Sequence, residues 1–527
     1  MPDYDVLIAG YGPTGAVAAN LFGASGLKVL VVEPSKQIFD IPRAVHFDGE
    51  VMRIFQQLGL CDKLLEVAQE GNSLGFTNGR NWQLLHQDLS DIPRHNSWAN
   101  NFFFNQPLLE SHLRESVQQH PNVEVRLGWS VQGFVQTESA VSVDLSEDDG
   151  RKTNVSCSYL LGCDGASSIV RQCLGIGHED LQCDEPWLVI DLKLPEGIAV
   201  NRKAYQICDP NRPATLVPCE GQHIRWEFMV NADDDLADLE SEESVRALMA
   251  PHLHRLSAEL KPEHGELLRA KVYSFHALLA DSFQQGRVFL LGDAAHQMPP
   301  FLGQGMCAGI RDAYNLHWKI SGVLNGSYAA DILASYTSER RPHVAEIIKT
   351  AVSHGGIIQN RNHVLSFFRD CFLLVGRIVP PLVRFLRFDL AWCLGDGILD
   401  RYENRSADNP VGQTLPQATL VVQDKHQLSD EALGPGFSIV GIGNNPADYF
   451  DAKNLDLGMQ LLHIAEDGDA IDINGSFRSW ARQNDVDLAV IRPDRQVFGV
   501  LSSRADKQVE LAAMLSRLRQ KLGAITL

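Results

Sequence analysis

The hydrophobic and polar positions at the start of the chain predict three successive elements. Asp5–Ala9 and Lys28–Val32 are short runs of branched apolar residues, which are typical of buried parallel strands. Pro13–Ser25 lies between them and is rich in Ala and Leu, which favours a helix. This segment is therefore predicted to form one βαβ unit.

The later apolar pattern predicts further strands and helices, and its character changes near residue 405. Helices are predicted at Asp48–Leu58, Pro107–Gln119 and Ala308–Leu324. Strands are predicted at Val123–Leu127, Val141–Leu145, Trp187–Leu194, Ala204–Cys208, Ile224–Val230 and Arg287–Leu291. Beyond residue 405, strands are predicted at Phe437–Ile442, Gln460–Ala465, Asp487–Ile491 and Val497–Leu501, followed by a helix at Gln508–Leu522. The pattern predicts an α/β protein with a separate C-terminal unit.

The composition excludes several classes of protein. Of the 527 residues, 44% are hydrophobic and 21% are charged, which is the balance of a folded globular chain. The 46 basic and 66 acidic side chains give a net charge of −20, which disfavours nucleic acid and anionic membranes as partners. Any anionic ligand must therefore be held by a local site.

The cysteine pattern and the longest apolar segment bear on compartment and assembly. The ten cysteines form no C-x-x-C pair and no zinc-binding spacing, so no metal site is predicted and a cytoplasmic location is expected. The N-terminus lacks a basic region before its apolar run, so no signal peptide is expected. Val364–Leu394 is interrupted by charges and prolines, so no membrane span is predicted. We expect this segment to form helices at a domain or subunit interface, which leaves a homodimer open.

The loop after the first predicted strand carries a glycine motif. Gly10, Gly12 and Gly15 form G-x-G-x-x-G, and Glu33 ends the second predicted strand. Such glycines let backbone N–H groups approach a pyrophosphate at the helix N-terminus, and the acid takes a ribose hydroxyl. Because strand, helix and acid all stand at the required places, a dinucleotide site is predicted.

Two later segments make that site more specific. Residues 161–171 read LGCDGASSIVR, and residues 286–319 read GRVFLLGDAAHQMPPFLGQGMCAGIRDAYNLHWK. Together with the glycine motif, they resemble the three signatures of the FAD-dependent aromatic hydroxylases, the single-component (group A) flavoprotein monooxygenases. Residues 42–53, 208–213, 225–230 and 492–495 further resemble the phenol-hydroxylating members of that family.

The resemblance implies a fold and a reaction. The fold is α/β, with an FAD-binding Rossmann-like domain of the glutathione-reductase type, an inserted mixed β-sheet substrate domain and a C-terminal thioredoxin-like domain without redox cysteines. The implied ranges are 1–180 and 281–404 for the FAD-binding part, 181–280 for the substrate sheet and 405–527 for the C-terminal domain. NADH or NADPH would reduce FAD, and a flavin C4a-hydroperoxide formed with O₂ would hydroxylate a small phenolic substrate such as 3-(3-hydroxyphenyl)propionate.

The matched motifs also imply which residues hold the cofactor. Asp293 is expected to accept hydrogen bonds from ribityl hydroxyls, and Arg43 to lie near the pyrophosphate or the ribityl chain. Backbone N–H groups after Gly303 would stabilise negative charge on the reduced flavin ring. The complete predicted set is Gly10, Gly12, Gly15, Glu33, Arg43, Gln106, Asp164, Asp293, Pro300, Gly303, Gln304, Gly305 and Met306. Cys307 stands where many relatives have Asn, so a side-chain amide contact at that position is not expected.

The substrate side is less specific. A hydrogen-bonding or basic group should activate the phenol, and the candidates are His46, Tyr205 and Arg225. Two of them have a structural alternative: Tyr205 as a core residue, and Arg225 in a salt bridge with Glu227 or another acid. Other readings remain: a hydroxylase of a heteroaromatic or polyketide phenol, a flavin halogenase, whose W-x-W-x-I-P signature is absent, and a non-catalytic binding protein on the same scaffold.

Overall fold

The computed structural model describes residues 2–40, 42–90, 92–379, 381–383, 392–401, 409–450 and 458–523. Within these ranges the strands form three large sheets and one three-stranded sheet, with helices packed around them. The predicted α/β class is confirmed.

The first sheet contains the predicted βαβ unit. Its strands are β1 (Tyr4–Ala9), β2 (Val29–Glu33), β8 (Val123–Leu127), β9 (Trp129–Gln136), β10 (Val141–Glu147), β11 (Lys152–Gly162), β17 (Gln284–Gln285) and β18 (Val288–Leu290). Strand β1 pairs in parallel with β2 and β11, and β11 pairs in parallel with β18. Helices α1 (Pro13–Ala24), α4 (Gln106–Val117) and α8 (Gly305–Leu324) pack together beside this sheet. The carboxyl ends of β1, β11 and β18 therefore share one edge, where ligands bind in open α/β sheets.

The second sheet lies over the loops at that edge. Its strands are β5 (Ser73–Asn78), β6 (Gln83–Asp88), β12 (His178–Lys193), β13 (Ala204–Cys208), β14 (Ala214–Pro218), β15 (His223–Met229), β16 (Glu266–Ala280) and β19 (His296–Gln297). We call the side that carries Trp187, Arg225 and Glu227 the inner face, because Trp187 and Arg225 contact the loops of the first sheet. The outer face carries Ile190, Leu216 and Trp226, which form a separate hydrophobic cluster.

The strand pairing corrects one domain boundary. Strands β5 and β6 fall within the range 1–180 that we assigned to the FAD-binding part, but β5 pairs in parallel with β13 of the second sheet. Leu74 and Phe76 of β5 join the hydrophobic cluster on the inner face. A parallel pairing between segments so far apart in the chain leaves no local signal, so the sequence does not reveal it.

A three-stranded sheet and several helices complete this part of the chain. The strands are β3 (His46–Asp48), β4 (Ala68–Glu70) and β7 (Asn101–Phe104). The helices are α2 (Gly49–Gln57), α3 (Cys61–Leu65), α5 (Ile169–Leu174), α6 (Leu236–Leu239), α7 (Glu242–Met249), α9 (Ser335–Ile358) and α10 (His363–Ile378). None of the helices in the described ranges is long and apolar enough to cross a membrane. The C-terminal part of the predicted interface segment, residues 380 and 384–391, lies outside those ranges.

The C-terminal unit has its own seven-stranded sheet. It contains β20 (Thr419–Val422), β21 (Lys425–Leu428), β22 (Ser438–Ile442), β23 (Gln460–Ile464), β24 (Ala470–Asp472), β25 (Leu488–Ile491) and β26 (Val497–Leu501), with helices α11 (Ser429–Leu433), α12 (Ser476–Asn484) and α13 (Lys507–Leu522). The four strands and the final helix predicted here are all present within a residue or two. Strands β20, β21 and β24 are short and were not predicted.

Buried ion pairs join the C-terminal unit to the FAD-binding part. Arg492, at the end of β25, donates to both oxygens of Glu339 on α9 at 2.9 Å and also pairs with Asp494. Lys319 on α8 donates to Glu339 at 2.8 Å. Elsewhere in the interface, Arg53 of α2 pairs with Asp430, and both side chains are buried. Residues 492–495 resemble the family, but the sequence assigned no role to them. In the structure they attach the C-terminal unit to the FAD-binding part.

Candidate active site

The glycine loop has a closed side and an open side. A Cβ on Gly10 would lie 2.3 Å from the carbonyl oxygen of Cys163, and one on Gly15 would lie 2.1 Å from the carbonyl oxygen of Gly10. Gly10 also has φ +98°, which side chains rarely adopt. A Cβ on Gly12 would meet nothing within 4 Å. The loop is thus packed tightly against the sheet while its Gly12 side leaves room for a ligand.

Glu33 lies beside this loop, as predicted. Its carboxylate accepts hydrogen bonds from the backbone N–H groups of Tyr11 at 2.8 Å and Ser35 at 2.9 Å. No side chain caps helix α1, and Pro13 occupies its first turn. The helix N-terminus therefore presents partial positive charge toward the open side of the loop. The contact of Glu33 with a ribose stays a prediction.

Asp293 stands on a short turn after β18 and lacks a partner. Its side chain is exposed, and no described residue forms a hydrogen bond or ion pair with it. Protein nevertheless surrounds it closely enough that burial raises its pKa, against the opposing charges of His296 and Arg43. The side chain of Asp293 caps no helix. A carboxylate in a cleft without a partner is a ready acceptor for ligand hydroxyl groups.

Buried charges hold the turn that carries Asp293. Asp312 accepts hydrogen bonds from the backbone N–H of Gly292 at 3.1 Å and from Arg340 at 2.7 Å. His296 also contacts Asp312, at 2.8 Å. His296 thus supports the turn together with Asp312 and Arg340, and no role was predicted for Asp312 or Arg340 from the sequence. Asp312 lies within the third signature, and its position after the glycines was the only local signal for it.

His46 fastens the loop that begins α8. Its Nδ1 lies 3.2 Å from the carbonyl oxygen of Gly303, and its Nε2 lies 2.9 Å from Asn101 Oδ1. Because a carbonyl oxygen can only accept, Nδ1 is the donor in the first contact. Gly303 has φ +63°, and a Cβ there would lie 2.6 Å from His46 Nδ1. The geometry favours a positioning role for His46 over the catalytic role predicted for it.

The start of α8 presents backbone rather than side-chain groups. Gln304 uses its amide to contact Asp48 at 3.0 Å and Arg311 at 2.9 Å, so its side chain is engaged within the protein. No side chain caps the helix, so the N–H groups of Gly305, Met306 and Cys307 lack an acceptor among the described residues. Cys307 is buried. These backbone N–H groups are therefore available to a ligand, as the predicted backbone contact requires. Pro300 opens the short turn that precedes it.

The Arg43 segment is anchored from two directions. Gln106 Oε1 accepts the backbone N–H groups of Arg43 at 2.8 Å and Ala44 at 2.6 Å, and its Nε2 donates to Glu110. The Arg43 side chain is exposed, lies over the Phe39 ring and has no ion pair among the described residues. Gln106 therefore positions the segment that presents Arg43. Direct contacts of either residue with the cofactor stay predictions.

Asp164 supports the start of a helix. It accepts hydrogen bonds from Ser168 Oγ at 2.5 Å and from the backbone N–H of Val170 at 3.1 Å at the start of α5. Burial raises its pKa against these bonds. These hydrogen bonds support the start of α5, whose N-cap residue is Ser168, and the cofactor contact of Asp164 stays a prediction.

Two substrate-side predictions need correction. Tyr205 pairs with Leu216, which pairs with Trp226, so register puts Tyr205 on the outer face. It packs there against the hydrophobic cluster of that face, on the side opposite the flavin-site loops. Tyr205 is therefore a half-buried packing residue of the outer face, which is close to its structural alternative.

Arg225 is on the inner face but is fully engaged. It donates to Asp191 at 2.9 Å, to the carbonyl oxygen of Arg43 at 2.6 Å and to that of Pro42 at 2.5 Å. Arg269 also donates to the Pro42 carbonyl and pairs with Asp191. The predicted salt bridge with an acid is present, with Asp191 in place of Glu227. Arg225 supports the Arg43 segment and has no donor directed at a substrate carboxylate.

These features fit an FAD molecule. The open side of Gly12, the exposed guanidinium of Arg43, the unpartnered carboxylate of Asp293 and the free N–H groups of α8 offer groups for a pyrophosphate, a ribityl chain and a flavin ring. They follow the carboxyl ends of β1 and β18 and the start of α8. The fold and the site together define a flavin-binding α/β protein with a second sheet beside the flavin site.

Comparison with known proteins identifies the family. Residues 3–351 match the FAD binding domain family, and residues 412–517 match the HcaD C-terminal domain. The chain belongs to this FAD-binding family, and the prediction of an FAD-dependent aromatic hydroxylase is confirmed at the level of the class.

The relatives share nearly the whole chain. A "3-(3-hydroxy-phenyl)propionate/3-hydroxycinnamic acid hydroxylase" of Burkholderia cenocepacia (strain HI2424) is 32% identical and covers 98% of this chain and 97% of its own. A "Probable NADH-specific resorcinol 4-hydroxylase" of Rhodococcus jostii (strain RHA1) is 31% identical and covers 98% and 94%.

Solved structures share the fold. The flavin-dependent monooxygenase PieE, in complex with FAD and substrate, superposes with a TM-score of 0.80 at 21% identity, covering 99% of this chain and 100% of its own. Aklavinone-11 hydroxylase, in complex with FAD and aklavinone, superposes with a TM-score of 0.79 at 20% identity, covering 98% and 99%.

Proposed function

We propose that this protein uses FAD, O₂ and NADH or NADPH to hydroxylate a small phenolic ring, with 3-(3-hydroxyphenyl)propionate and 3-hydroxycinnamate as the first substrates to test. The observation that carries the proposal is the contact between the flavin-site loop and the second sheet. Phe301 of that loop packs edge-to-face on Trp187, with ring centroids 5.8 Å apart. An aromatic-lined sheet face thus meets the segment that would hold the reactive ring of the cofactor.

The inner face suits a flat apolar substrate with few polar groups. Its cluster of buried side chains includes Phe76, Phe103, Trp187, Cys208, Met229 and Phe301. Buried polar side chains lie on the same face, among them Gln206, Thr215 and Glu227, and such groups orient a ligand in a small-molecule site. Buried aromatic groups exclude water, which protects a reactive oxygen donor from wasteful side reactions.

Residues of this chain would bind the FAD molecule and orient its flavin ring. Gly12 and Arg43 would hold the pyrophosphate, Asp293 would accept hydrogen bonds from ribityl hydroxyls, and the free N–H groups that begin α8 would stabilise negative charge near the ring. Bound FAD, once reduced, supplies the electrons that activate O₂. His46 and Arg225 keep the Gly303 loop and the Arg43 segment in place.

The choice between NADH and NADPH is the finer part of the proposal. The Rhodococcus relative carries an NADH-specific name, so we propose NADH. No second G-x-G-x-x-G unit follows a strand in this sequence, which supports a nicotinamide cofactor that visits the flavin transiently.

Assembly and location are also proposals. Helix α10 exposes Val364, Phe367, Phe368 and Ile378, which supports the predicted subunit interface and a homodimer. All ten cysteines are free thiols, which supports the cytoplasm as the location. Light scattering on the purified protein tests the proposed homodimer, because a monomer at micromolar concentration would exclude a stable dimer.

The test of the reaction combines three measurements on purified protein. FAD released on denaturation, NADH and NADPH oxidation across a panel of phenols, and hydrogen peroxide separate coupled hydroxylation from futile turnover. We expect bound FAD and phenol-stimulated NADH oxidation with a hydroxylated product. Colourless protein that binds no added FAD would instead support a non-catalytic scaffold.

A further inference from the structure

Glu227 is a buried carboxylate that no part of the described chain satisfies. It lies on β15 in the inner face and keeps 8% of its surface exposed. No described residue donates a hydrogen bond to it. A buried carboxylate without a donor is costly in protein interiors, so such a group points to a missing partner.

Its neighbours make a polar row across three strands. Glu227 pairs in register with Thr215 of β14, which pairs with Gln206 of β13. Thr215 Oγ1 donates to Gln206 Oε1 at 2.8 Å, and both side chains are buried. On β15 the row is bordered by Met229 on one side and by Arg225 on the other. A polar row next to an apolar cluster offers a ligand both hydrogen-bonding groups and apolar contact.

Glu227 lies between the two segments that would hold the flavin. Arg225, two residues before it on the same face, donates to the carbonyl oxygens of Pro42 and Arg43. Val189, its partner on β12, is two residues from Trp187, which contacts Phe301 of the loop before α8. A substrate ring between these segments would therefore face Glu227.

The nearby charges do not neutralise Glu227. Arg225 directs its donors to Asp191, Pro42 and Arg43, and Arg269 directs its donors to Asp191, Pro42 and Tyr273. His223 also contacts Asp191, at 2.8 Å. Burial raises the pKa of Glu227, and Arg225 opposes the rise.

We propose that Glu227 contacts the phenolic hydroxyl group of the substrate and accepts its proton. The phenolic O–H bond breaks, its electron pair stays on the oxygen, and a new O–H bond forms on the Glu227 carboxylate. The phenolate oxygen then feeds electron density to the ring carbons ortho and para to it, where an electrophilic oxygen atom is accepted. This role rests on the proposed function, because it requires a phenolic substrate.

The acid–base match supports the assignment. A free phenol ionises with a pKa of about 10, as a tyrosine side chain does, so it is neutral at physiological pH. A carboxylate whose pKa is raised is a stronger base than an ordinary one and is better matched to that proton. Without such a ligand, the Glu227 carboxylate would be buried at a cost in free energy that no described residue offsets.

The test compares Glu227→Gln with wild type, using 3-(3-hydroxyphenyl)propionate as the probe. Glu266→Gln is the matched control, because Glu266 is exposed on β16 of the same sheet and its loss changes the net charge equally. General acid–base groups contribute about 10² to 10⁴-fold, so we expect at least a ~100-fold lower kcat for hydroxylation at neutral pH in Glu227→Gln. Bound FAD and the thermal transition should match those of Glu266→Gln.

Two readouts distinguish proton transfer from a general loss of activity. Binding of the probe to oxidised wild-type enzyme at neutral pH should produce the ultraviolet difference spectrum of a phenolate, and Glu227→Gln should bind the probe without that spectrum. The deficit in kcat should also shrink as the pH approaches about 10, where the phenol ionises unaided.

The outcomes separate the two levels of the proposal. Wild-type hydroxylation of the probe, with a Glu227→Gln variant equal to Glu266→Gln in rate and difference spectrum, would overturn the role of Glu227 alone. A pH-independent deficit would likewise overturn proton transfer. A wild-type enzyme that binds FAD but hydroxylates no phenol would overturn the proposed function and this role with it.

Discussion

Replacement of Arg492 by methionine should weaken the attachment of the C-terminal unit to the FAD-binding part and lower the stability of the protein. The guanidinium is fully buried and makes four contacts to carboxylates, two with Glu339 at 2.9 Å and two with Asp494 at 2.9 and 2.6 Å. Methionine removes all of them and leaves Glu339 with Lys319 as its remaining cation. Removing one partner of a buried ion pair costs about 3–5 kcal/mol.

The magnitude can be read from thermal unfolding. For domains of 150–250 residues, 1 kcal/mol shifts the midpoint by about 2–4 °C, so the expected decrease is roughly 6–20 °C. Arg504→Met is the control, because Arg504 is exposed on the same unit and has no hydrogen bond or ion pair in the described chain. Such a surface change should stay within about 0.5 kcal/mol of wild type.

The pH dependence provides an independent check. Burial raises the pKa of Glu339, but the charges of Arg492 and Lys319 outweigh burial and hold this pKa below its ordinary value of 4.5. A depressed carboxyl pKa contributes stability that is present above the unfolded pKa and is lost as the pH falls below it. Wild type should therefore lose more stability than Arg492→Met between about pH 5 and pH 3. Equal midpoints for Arg492→Met and Arg504→Met would refute the reasoning.

Three further predictions concern the cofactor site and the outer face. Asp293→Ala should weaken FAD binding by about 10-fold or more, since hydrogen bonds to a charged group contribute about 1.5–3 kcal/mol; an unchanged Kd by fluorescence titration would remove its assigned role. Gly12→Ala should fold normally but bind FAD weakly, because its Cβ meets only open space, whereas Gly15→Ala should destabilise the protein, because its Cβ would lie 2.1 Å from a carbonyl oxygen; calorimetry with and without FAD compares the two. Tyr205→Phe should keep wild-type kcat, because the ring lies on the outer face; a loss of more than about 10-fold would contradict the assigned register.

Local patterns predicted the elements of the βαβ unit, which the structure contains as β1, α1 and β2. The strand, glycine loop, helix and acid of the βαβ unit are neighbours in sequence, so spacing alone determines their geometry. Asp293 and Gly303 were predicted from the resemblance of their segment to the family signature, and they lie in the turns between β18 and α8. Each of these features depends only on residues that are close together in the sequence, so a single segment is enough to predict it.

The residues that hold the cofactor-site segments in place could not be predicted from local patterns. Arg225 and Gln106 act on the backbone of residues 42–44, and backbone partners leave no trace in the sequence of the partner. Tyr205 was misassigned because one residue of register decides which face a strand side chain occupies. Apolar Ile207, two residues later on the same strand, was the available signal for the outer face. Glu227 was weighed only as an ion-pair partner, since the sequence does not show that Arg225 has other acceptors.

The proposed function requires the FAD-loaded protein to transfer an oxygen atom to a phenol. The decisive measurement is mass spectrometry of the product formed from 3-(3-hydroxyphenyl)propionate, NADH and isotopically labelled O₂. We expect a ring-hydroxylated product that carries one labelled oxygen atom, in an amount equal to the NADH consumed. Oxidation of NADH that yields only hydrogen peroxide with this probe and with the rest of the phenol panel would contradict it.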